Sequence, residues 1–162
     1  MLDCQTPRGK KAIEHQYDTQ RILESLGYVC ILTRGDDNHS DVILARAESE
    51  MLRIYGVAEI KSRYMAGDKI LTTEYLENNG GYLITHEKIR KGVQTAEAMK
   101  TAFFVIVRLI GDNNKILVWK IWDNGYLIPI INKKTRTQKT INGGFADRVN
   151  TFLPIKKAKI IE

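Results

Sequence analysis

The stretch GVAEIKSRY, residues 56–64, decides how the rest of the chain is interpreted. Its apolar residues predict a buried β-strand, yet it carries an acid and a base two positions apart. Side chains at positions i and i+2 of a strand point to the same face. Glu59 and Lys61 are therefore expected side by side on one face, with Ala58 and Ile60 on the other. The alternative is a charge pair on an exposed strand, which would contribute less than about 1 kcal/mol to stability.

The composition is that of a globular protein. The chain has 162 residues, of which 43% are hydrophobic and 27% charged, enough to bury a core in one domain spanning residues 1–162. No apolar run approaches the roughly 18 residues of a membrane span, and the first residues lack the apolar segment of a secretory signal. Two cysteines without CxxC spacing favour a reducing compartment over a disulfide or zinc site. We expect a cytoplasmic protein of a prokaryotic or phage-infected cell, with no membrane partner.

Charge is divided unevenly between the two halves of the chain. Residues 1–80 hold ten Lys or Arg against thirteen Asp or Glu, a net charge of −3, whereas residues 81–162 hold fifteen against six, a net charge of +9. A basic half suits a polyanion such as nucleic acid, because Lys and Arg gain affinity by displacing phosphate counterions. A solvated basic surface would give the same composition. The acidic half is harder to explain for a protein that only coats DNA.

The turn residues and apolar runs predict a mixed α/β fold. Helices are expected where apolar residues recur every three to four positions, and strands where β-branched and aromatic runs stand between turn residues. Gly56 within the third strand predicts a bulge or bend, and the polar stretch 132–148 predicts a loop. The predicted order is helix 8–26, strands 28–33, 41–46 and 51–61, helices 73–78 and 86–100, a hairpin of strands 102–110 and 115–122, and an edge-like segment 126–131.

A second acid, Asp41, opens the strand that precedes the one with Glu59. If the two strands pair antiparallel, the start of one lies beside the end of the other and the carboxylates converge. Converging carboxylates repel unless a cation binds them, and hard oxygen ligands select Mg²⁺, with Mn²⁺ as a substitute. A lysine beside such a site can position or help deprotonate a metal-bound water, or stabilise charge on a phosphate. Asp41, Glu59 and Lys61 therefore predict metal-dependent phosphodiester hydrolysis.

This pattern, Asp41 followed by Glu59-Ile60-Lys61, resembles the PD-(D/E)xK nuclease superfamily. That superfamily includes many restriction endonucleases, small Holliday-junction resolvases and phage nucleases. The resemblance implies that Asp41 and Glu59 bind Mg²⁺, that the backbone carbonyl of Ile60 is a further ligand, and that Lys61 is catalytic. It implies an endonuclease that acts on DNA, either selective for DNA structure or nicking one strand. Because one active site cuts one strand, it also implies that a homodimer could cut both.

The resemblance also implies a fold. It predicts a restriction-endonuclease-like core with a helix, a three-strand meander, a helix and a strand hairpin around a mixed central sheet. The core would cover about residues 8–110, and a C-terminal hairpin with a basic tail would follow at 111–162. The apolar hairpin 102–122 is a candidate dimer surface.

The first helix departs from the family pattern. Many members place a glutamate of this helix in the site, but at 100° per residue Glu14 falls nearly opposite Leu23, on the polar side. In the resolvase-like pattern the acid lies seven residues before a core apolar residue and eleven before a glycine. Those offsets from Leu23 and Gly27 land on Gln16. Gln16, which carries no charge, is thus the expected helix residue of the site, with Glu14 as the alternative. Ser40 stands where a proline ordinarily precedes the first acid.

Several basic residues outside the motif are candidates for contacting the DNA backbone. Arg63 lies on the same strand face as Lys61, and Lys88 and Lys91 lie on the second long helix. Each could contact a phosphate or could simply be solvated.

Two other functions stay open. One is a catalytically inactive nucleic-acid-binding module of the same fold, which a neutral Gln16 would permit. The other is an RNA-binding or protein-interaction domain in which the motif is coincidental.

Overall fold

The computed structural model describes residues 7–33, 41–65, 69–136 and 147–162. Within these ranges no helix is long and apolar enough to cross a membrane. The helices are α1 (Pro7–Ser25), α2 (Thr73–Asn78) and α3 (His86–Ala98), with a 3₁₀ turn at Ile155–Lys157. The strands are β1 (Val29–Leu32), β2 (Val42–Glu48), β3 (Met51–Arg63), β4 (Tyr82–Thr85), β5 (Ala102–Leu109), β6 (Ile116–Asp123), β7 (Tyr126–Leu127), β8 (Ile131–Arg136), β9 (Asp147–Leu153) and β10 (Lys159–Ile161).

The described strands form one large mixed sheet and one small sheet. The large sheet has the order β1-β2-β3-β5-β6-β10, with β7 paired to β6, and the small sheet has the order β4-β9-β8. β3 and β5 run parallel, whereas the other pairs of the large sheet are antiparallel. The expected mixed α/β class with a mixed central sheet is therefore confirmed.

The pairing of β2 with β3 sets the position of the first acid. Val42, the first residue of β2, pairs with Ala58 of β3. The N–H of Asp41 donates to the Ala58 carbonyl at 2.9 Å, so the start of β2 lies against the second half of β3, as the motif requires.

Gly56 marks an irregularity in this ladder. The register shifts between Leu44 and Ala45, opposite Gly56, which confirms the predicted bulge or bend. A Cβ at Gly56 would lie 2.6 Å from both the carbonyl oxygen of Ala102 and the ring of Phe104. Glycine therefore lets β3 approach β5 closely at this point.

One face of the large sheet packs against α1. Ala58 and Ile60 of β3 are buried there in a cluster with Leu23 of α1. Ser62, the next residue on this face, shares a hydrogen bond of 3.0 Å with Thr19 between their hydroxyl oxygens. α1 therefore covers the face of β3 opposite to Glu59.

The other face packs against α3 and the small sheet. Val57 of β3 is buried in a cluster with Ile89 of α3. Gly92 of α3 lies so close to Phe103 that a Cβ would collide with the phenylalanine ring. Because side chains alternate along a strand, Glu59 points to this face, toward α3.

The C-terminal part of the chain differs from the sequence prediction. The expected loop 132–148 is wrong where it is described, since β8 and β9 pair antiparallel across it; residues 137–146 lie outside the description. β8 carries no alternation of apolar residues, so its own sequence does not predict a strand. It is a strand because it pairs with β9, which lies further along the chain. β6, β7 and β10 belong to the large sheet and β8 and β9 to the small sheet, so the described residues after 111 contribute strands to both sheets.

The hairpin of β5 and β6 lies inside the large sheet. β5 is paired on both sides, by β3 and β6, and β6 is paired by β5 and β10. Phe103, Trp119 and Ile121 have no exposed area. Most apolar residues of this hairpin therefore form the core of the chain itself, and they do not form the exposed dimer surface that the sequence suggested.

Candidate functional site

Acidic and basic side chains meet where β2 begins beside β3. The antiparallel register puts Asp41 next to Glu59, as the sequence predicts. Lys61 Nζ lies 2.6 Å from Glu59 Oε1 and 3.3 Å from Asp41 Oδ2. One ammonium group thus contacts both carboxylates, so the two acids converge on a small volume that a cation can occupy.

Glu59 is the buried centre of this arrangement. Its exposed fraction is 0%, and a second lysine reaches it from α3. Lys88 Nζ lies 3.2 Å from Glu59 Oε1 and 3.4 Å from Oε2. An ionised carboxylate is costly to bury unless it is paired, and the lysines provide that pairing. The carboxylate–lysine cluster is defined as Asp41, Glu59, Lys61 and Lys88, and its formal charges cancel.

The environment of Lys61 keeps its ammonium group charged. Burial lowers the pKa of Lys61, but the carboxylates of Glu59 and Asp41 outweigh that effect, so the pKa lies above its usual value. Lys61 is therefore suited to contact an anion or to orient a water molecule. It is poorly suited to accept a proton at neutral pH.

The backbone at Ile60 faces Asp41. The Ile60 N–H donates to Asp41 Oδ2 at 2.8 Å. In a strand the N–H and C=O of one residue point to the same edge, so the Ile60 carbonyl is directed toward the β2 side. The ladder between β2 and β3 ends where Val42 pairs with Ala58. The Ile60 carbonyl therefore lies past the end of this ladder.

These oxygens fit a hard divalent cation. In the described part of the chain no group of three or more His, Cys, Asp or Glu side chains is arranged to hold a metal. The available donors are two carboxylates and one carbonyl. Mg²⁺ is usually held by one or two carboxylates and keeps its other positions for water and substrate phosphates. The convergence of Asp41 and Glu59 on a single lysine nitrogen shows that a cation can contact both.

The helix α1 does not contribute to the carboxylate–lysine cluster. Gln16 is half-buried on a helix that packs against the opposite face of β3. Among the described residues it has no hydrogen bond with any member of the cluster. Glu14 is exposed, whereas Leu23 is buried, as the helical phase predicts. Among the described residues, neither candidate from the first helix forms a hydrogen bond or ion pair with the two acids.

Tyr82 of β4 lies beside the cluster, and nothing in the sequence pointed to it. The residue is 2% exposed, and its ring stacks on Trp119 with the centroids 5.8 Å apart. Burial raises the pKa of the Tyr82 phenol, while the nearby Arg63 and Lys61 act in the opposite direction. The position of Tyr82 depends on β4, a strand that the periodicity did not predict.

The three basic residues expected at the DNA backbone have different environments. Arg63 is exposed, and its guanidinium lies 5.8 Å from the centroid of Tyr82. Lys91 forms a surface ion pair of 3.3 Å with Glu87, four residues earlier on α3. Lys88 belongs to the carboxylate–lysine cluster. Arg63 alone among them combines exposure with a position next to the cluster.

Comparisons of the chain with family models, curated proteins and solved structures find no match. The function is therefore inferred from the order of the elements and the contacts of the cluster.

Proposed function

We propose that the protein is a Mg²⁺-dependent DNA endonuclease of the PD-(D/E)xK type. The observation that carries the proposal is the contact of Lys61 with both Asp41 and the buried Glu59. Two acids from neighbouring antiparallel strands, with a lysine two residues beyond the second acid on the same strand face, form an arrangement that suits phosphodiester hydrolysis.

The order of the elements supports the same proposal. α1 precedes a meander of β1, β2 and β3, and α3 then leads to β5, which is parallel to β3. The resemblance noted in the sequence implies a core with this order. β3 pairs with β5 from Gly56 to Arg63, so the part of the strand that carries Glu59 and Lys61 is held by backbone hydrogen bonds.

The residues of the site divide between two roles in the proposed reaction. Asp41 and Glu59, with the carbonyl of Ile60, would hold Mg²⁺, which supplies Lewis-acid stabilisation of phosphate charge when it is bound. Lys61 would orient the attacking water or stabilise the negative charge of the scissile phosphate. Manganese can replace magnesium at oxygen donors of this kind.

The charge distribution supports a nucleic-acid substrate. The second half of the chain carries a net charge of +9, and Arg63 is exposed beside the cluster. Exposed Lys133 and Arg148 on the small sheet add positive charge. Because each chain has one such site, cutting both strands of a duplex would require two copies or two successive nicks.

Cleavage of labelled DNA tests the proposed function. A panel of linear, nicked, branched and supercoiled DNA is incubated with Mg²⁺, with Mn²⁺ and with EDTA. We expect cleavage with either metal and none with EDTA, and we expect the Asp41→Asn variant to lose it. If no DNA is cut while DNA still shifts on a native gel, the nuclease proposal is wrong.

A non-catalytic nucleic-acid-binding module is the second candidate function. The observation that favours it is the pairing of both Glu59 oxygens with lysines, together with the placement of the neutral Gln16 outside the cluster. Such a module would bind DNA in EDTA and in Mg²⁺ and would cut it in neither. Cleavage in the panel above therefore separates the two functions.

A further inference from the structure

Lys88 has a different environment from the other lysines of α3. Lys91 pairs with Glu87, whose side chain is 61% exposed, so that pair is an ordinary surface contact of residues four apart on a helix. Lys88 instead contacts both oxygens of Glu59, which has no exposed area. Lys88 is therefore an internal partner of the acid that the proposed metal site needs.

The close packing of α3 brings Lys88 to that acid. Gly92 lies one helical turn after Lys88, and positions four apart share a helix face. At Gly92 a Cβ would collide with the ring of Phe103, so the helix lies unusually near β5. Ile89 is buried in the same interface. This approach leaves Lys88 within ion-pair distance of Glu59 in β3.

Lys88 and a metal ion would use the same carboxylate. Glu59 Oε1 is already contacted by Lys61 at 2.6 Å and by Lys88 at 3.2 Å, and Lys88 also lies 3.4 Å from Oε2. Lys61 follows the acid on the same strand and contacts Asp41 as well. Lys88 comes from a different element, and its side chain is 42% exposed, so it can move into solvent when another cation arrives.

We propose that Lys88 is a positioning residue that competes with the divalent metal for Glu59. It compensates the buried charge in the metal-free protein and lowers the affinity of the site for metal, because the metal must displace it or share Glu59 with it. This inference rests on the proposed function, since it takes Glu59 to be a metal ligand. Removal of the Lys88 charge tightens metal binding at this carboxylate.

Binding of Mn²⁺ in the absence of DNA tests this inference without any activity measurement. Free Mn²⁺ is followed by its electron paramagnetic resonance signal during titration of the wild type, Lys88→Met and Lys91→Met. We expect Lys88→Met to bind Mn²⁺ about tenfold more tightly, the change that about 1.4 kcal/mol of competing interaction would give. Lys91→Met, the matched control on the same helix, should equal the wild type, and Lys88→Arg should restore weak binding.

A second acid variant assigns the effect to Glu59. In the Glu59→Gln background, replacing Lys88 should no longer tighten binding, because the shared carboxylate is gone. Lys88→Gln repeats the test with a smaller polar side chain in case Lys88→Met folds poorly, and circular dichroism confirms folding of each variant.

The outcomes separate this inference from the proposed function. If the wild type binds Mn²⁺, Glu59→Gln abolishes binding and Lys88→Met changes nothing or weakens it, the role of Lys88 is refuted while the metal site stands. If neither the wild type nor Lys88→Met nor Lys88→Gln binds Mn²⁺, both are refuted. Tighter binding by both Lys88 variants that depends on Glu59 supports the inference.

Discussion

Neutralising Glu59 should destabilise the metal-free protein. Glu59→Gln keeps the size of the side chain but leaves two lysines without their buried counter-charge. Removing one partner of a fully buried ion pair costs about 3–5 kcal/mol, whereas an exposed pair contributes less than about 1 kcal/mol. The side chains of Lys61 and Lys88 are 27% and 42% exposed, and Lys61 keeps Asp41 at 3.3 Å. The expected loss therefore lies between these limits, at about 2 kcal/mol.

Urea denaturation in EDTA measures this loss. With a slope of about 2 kcal/mol per molar urea, the transition midpoint should fall by about 1 M. Glu87→Gln is the matched control, since Glu87 is 61% exposed and pairs with Lys91 at 3.3 Å, and it should change the free energy of unfolding by less than about 0.5 kcal/mol. A Glu59→Gln protein as stable as the control, or more stable than the wild type, would refute the assigned burial and pairing of Glu59.

Three further predictions concern other parts of the chain. Gly92→Ala should destabilise the protein by about 2 kcal/mol in thermal unfolding, because its Cβ would collide with Phe103; an unchanged midpoint would contradict the close packing of α3. Burial raises the pKa of Cys30 from 9.0 to about 11, so in a Cys4→Ser variant iodoacetamide should react slowly at pH 8 and faster toward pH 11. The contribution of the buried Cys30 thiol to the free energy of unfolding should be fully present below about pH 9 and lost as the pH approaches 11. Fast alkylation of the folded variant at pH 8 would contradict the raised pKa. Arg63→Ala should weaken DNA binding in EDTA for all sequences and reduce the salt slope by roughly 1 in fluorescence anisotropy, and an unchanged slope would exclude a phosphate contact.

The sequence was most informative where local patterns determine structure. The alternation of side chains along 56–64 predicted that Glu59 and Lys61 share a face, and the turn before Asp41 predicted where the next strand begins. The structure brings these three side chains together. Helical phase likewise predicted that Glu14 would be exposed, as it is.

Features that depend on distant contacts were not predictable in this way. Lys88 and Lys91 look alike in the sequence, and only the approach of α3 at Gly92 makes Lys88 a partner of Glu59. The phase of α1 places Gln16 toward the sheet, but it does not say which face of the sheet the helix covers. β4 and β8 have weak patterns of their own, and each is a strand through pairing with β9.

The most direct test of the proposed nuclease is single-turnover cleavage by the Lys61→Met variant. Wild type, Lys61→Met and Lys91→Met are compared on the DNA that the wild type cuts best, with saturating Mg²⁺. The proposed role of Lys61 predicts that its replacement slows cleavage by about 10²-fold or more, while Lys91→Met retains most of the wild-type rate at saturating protein concentration. Cleavage by folded Lys61→Met at the wild-type rate would contradict the proposal that Asp41, Glu59 and Lys61 form the nuclease site.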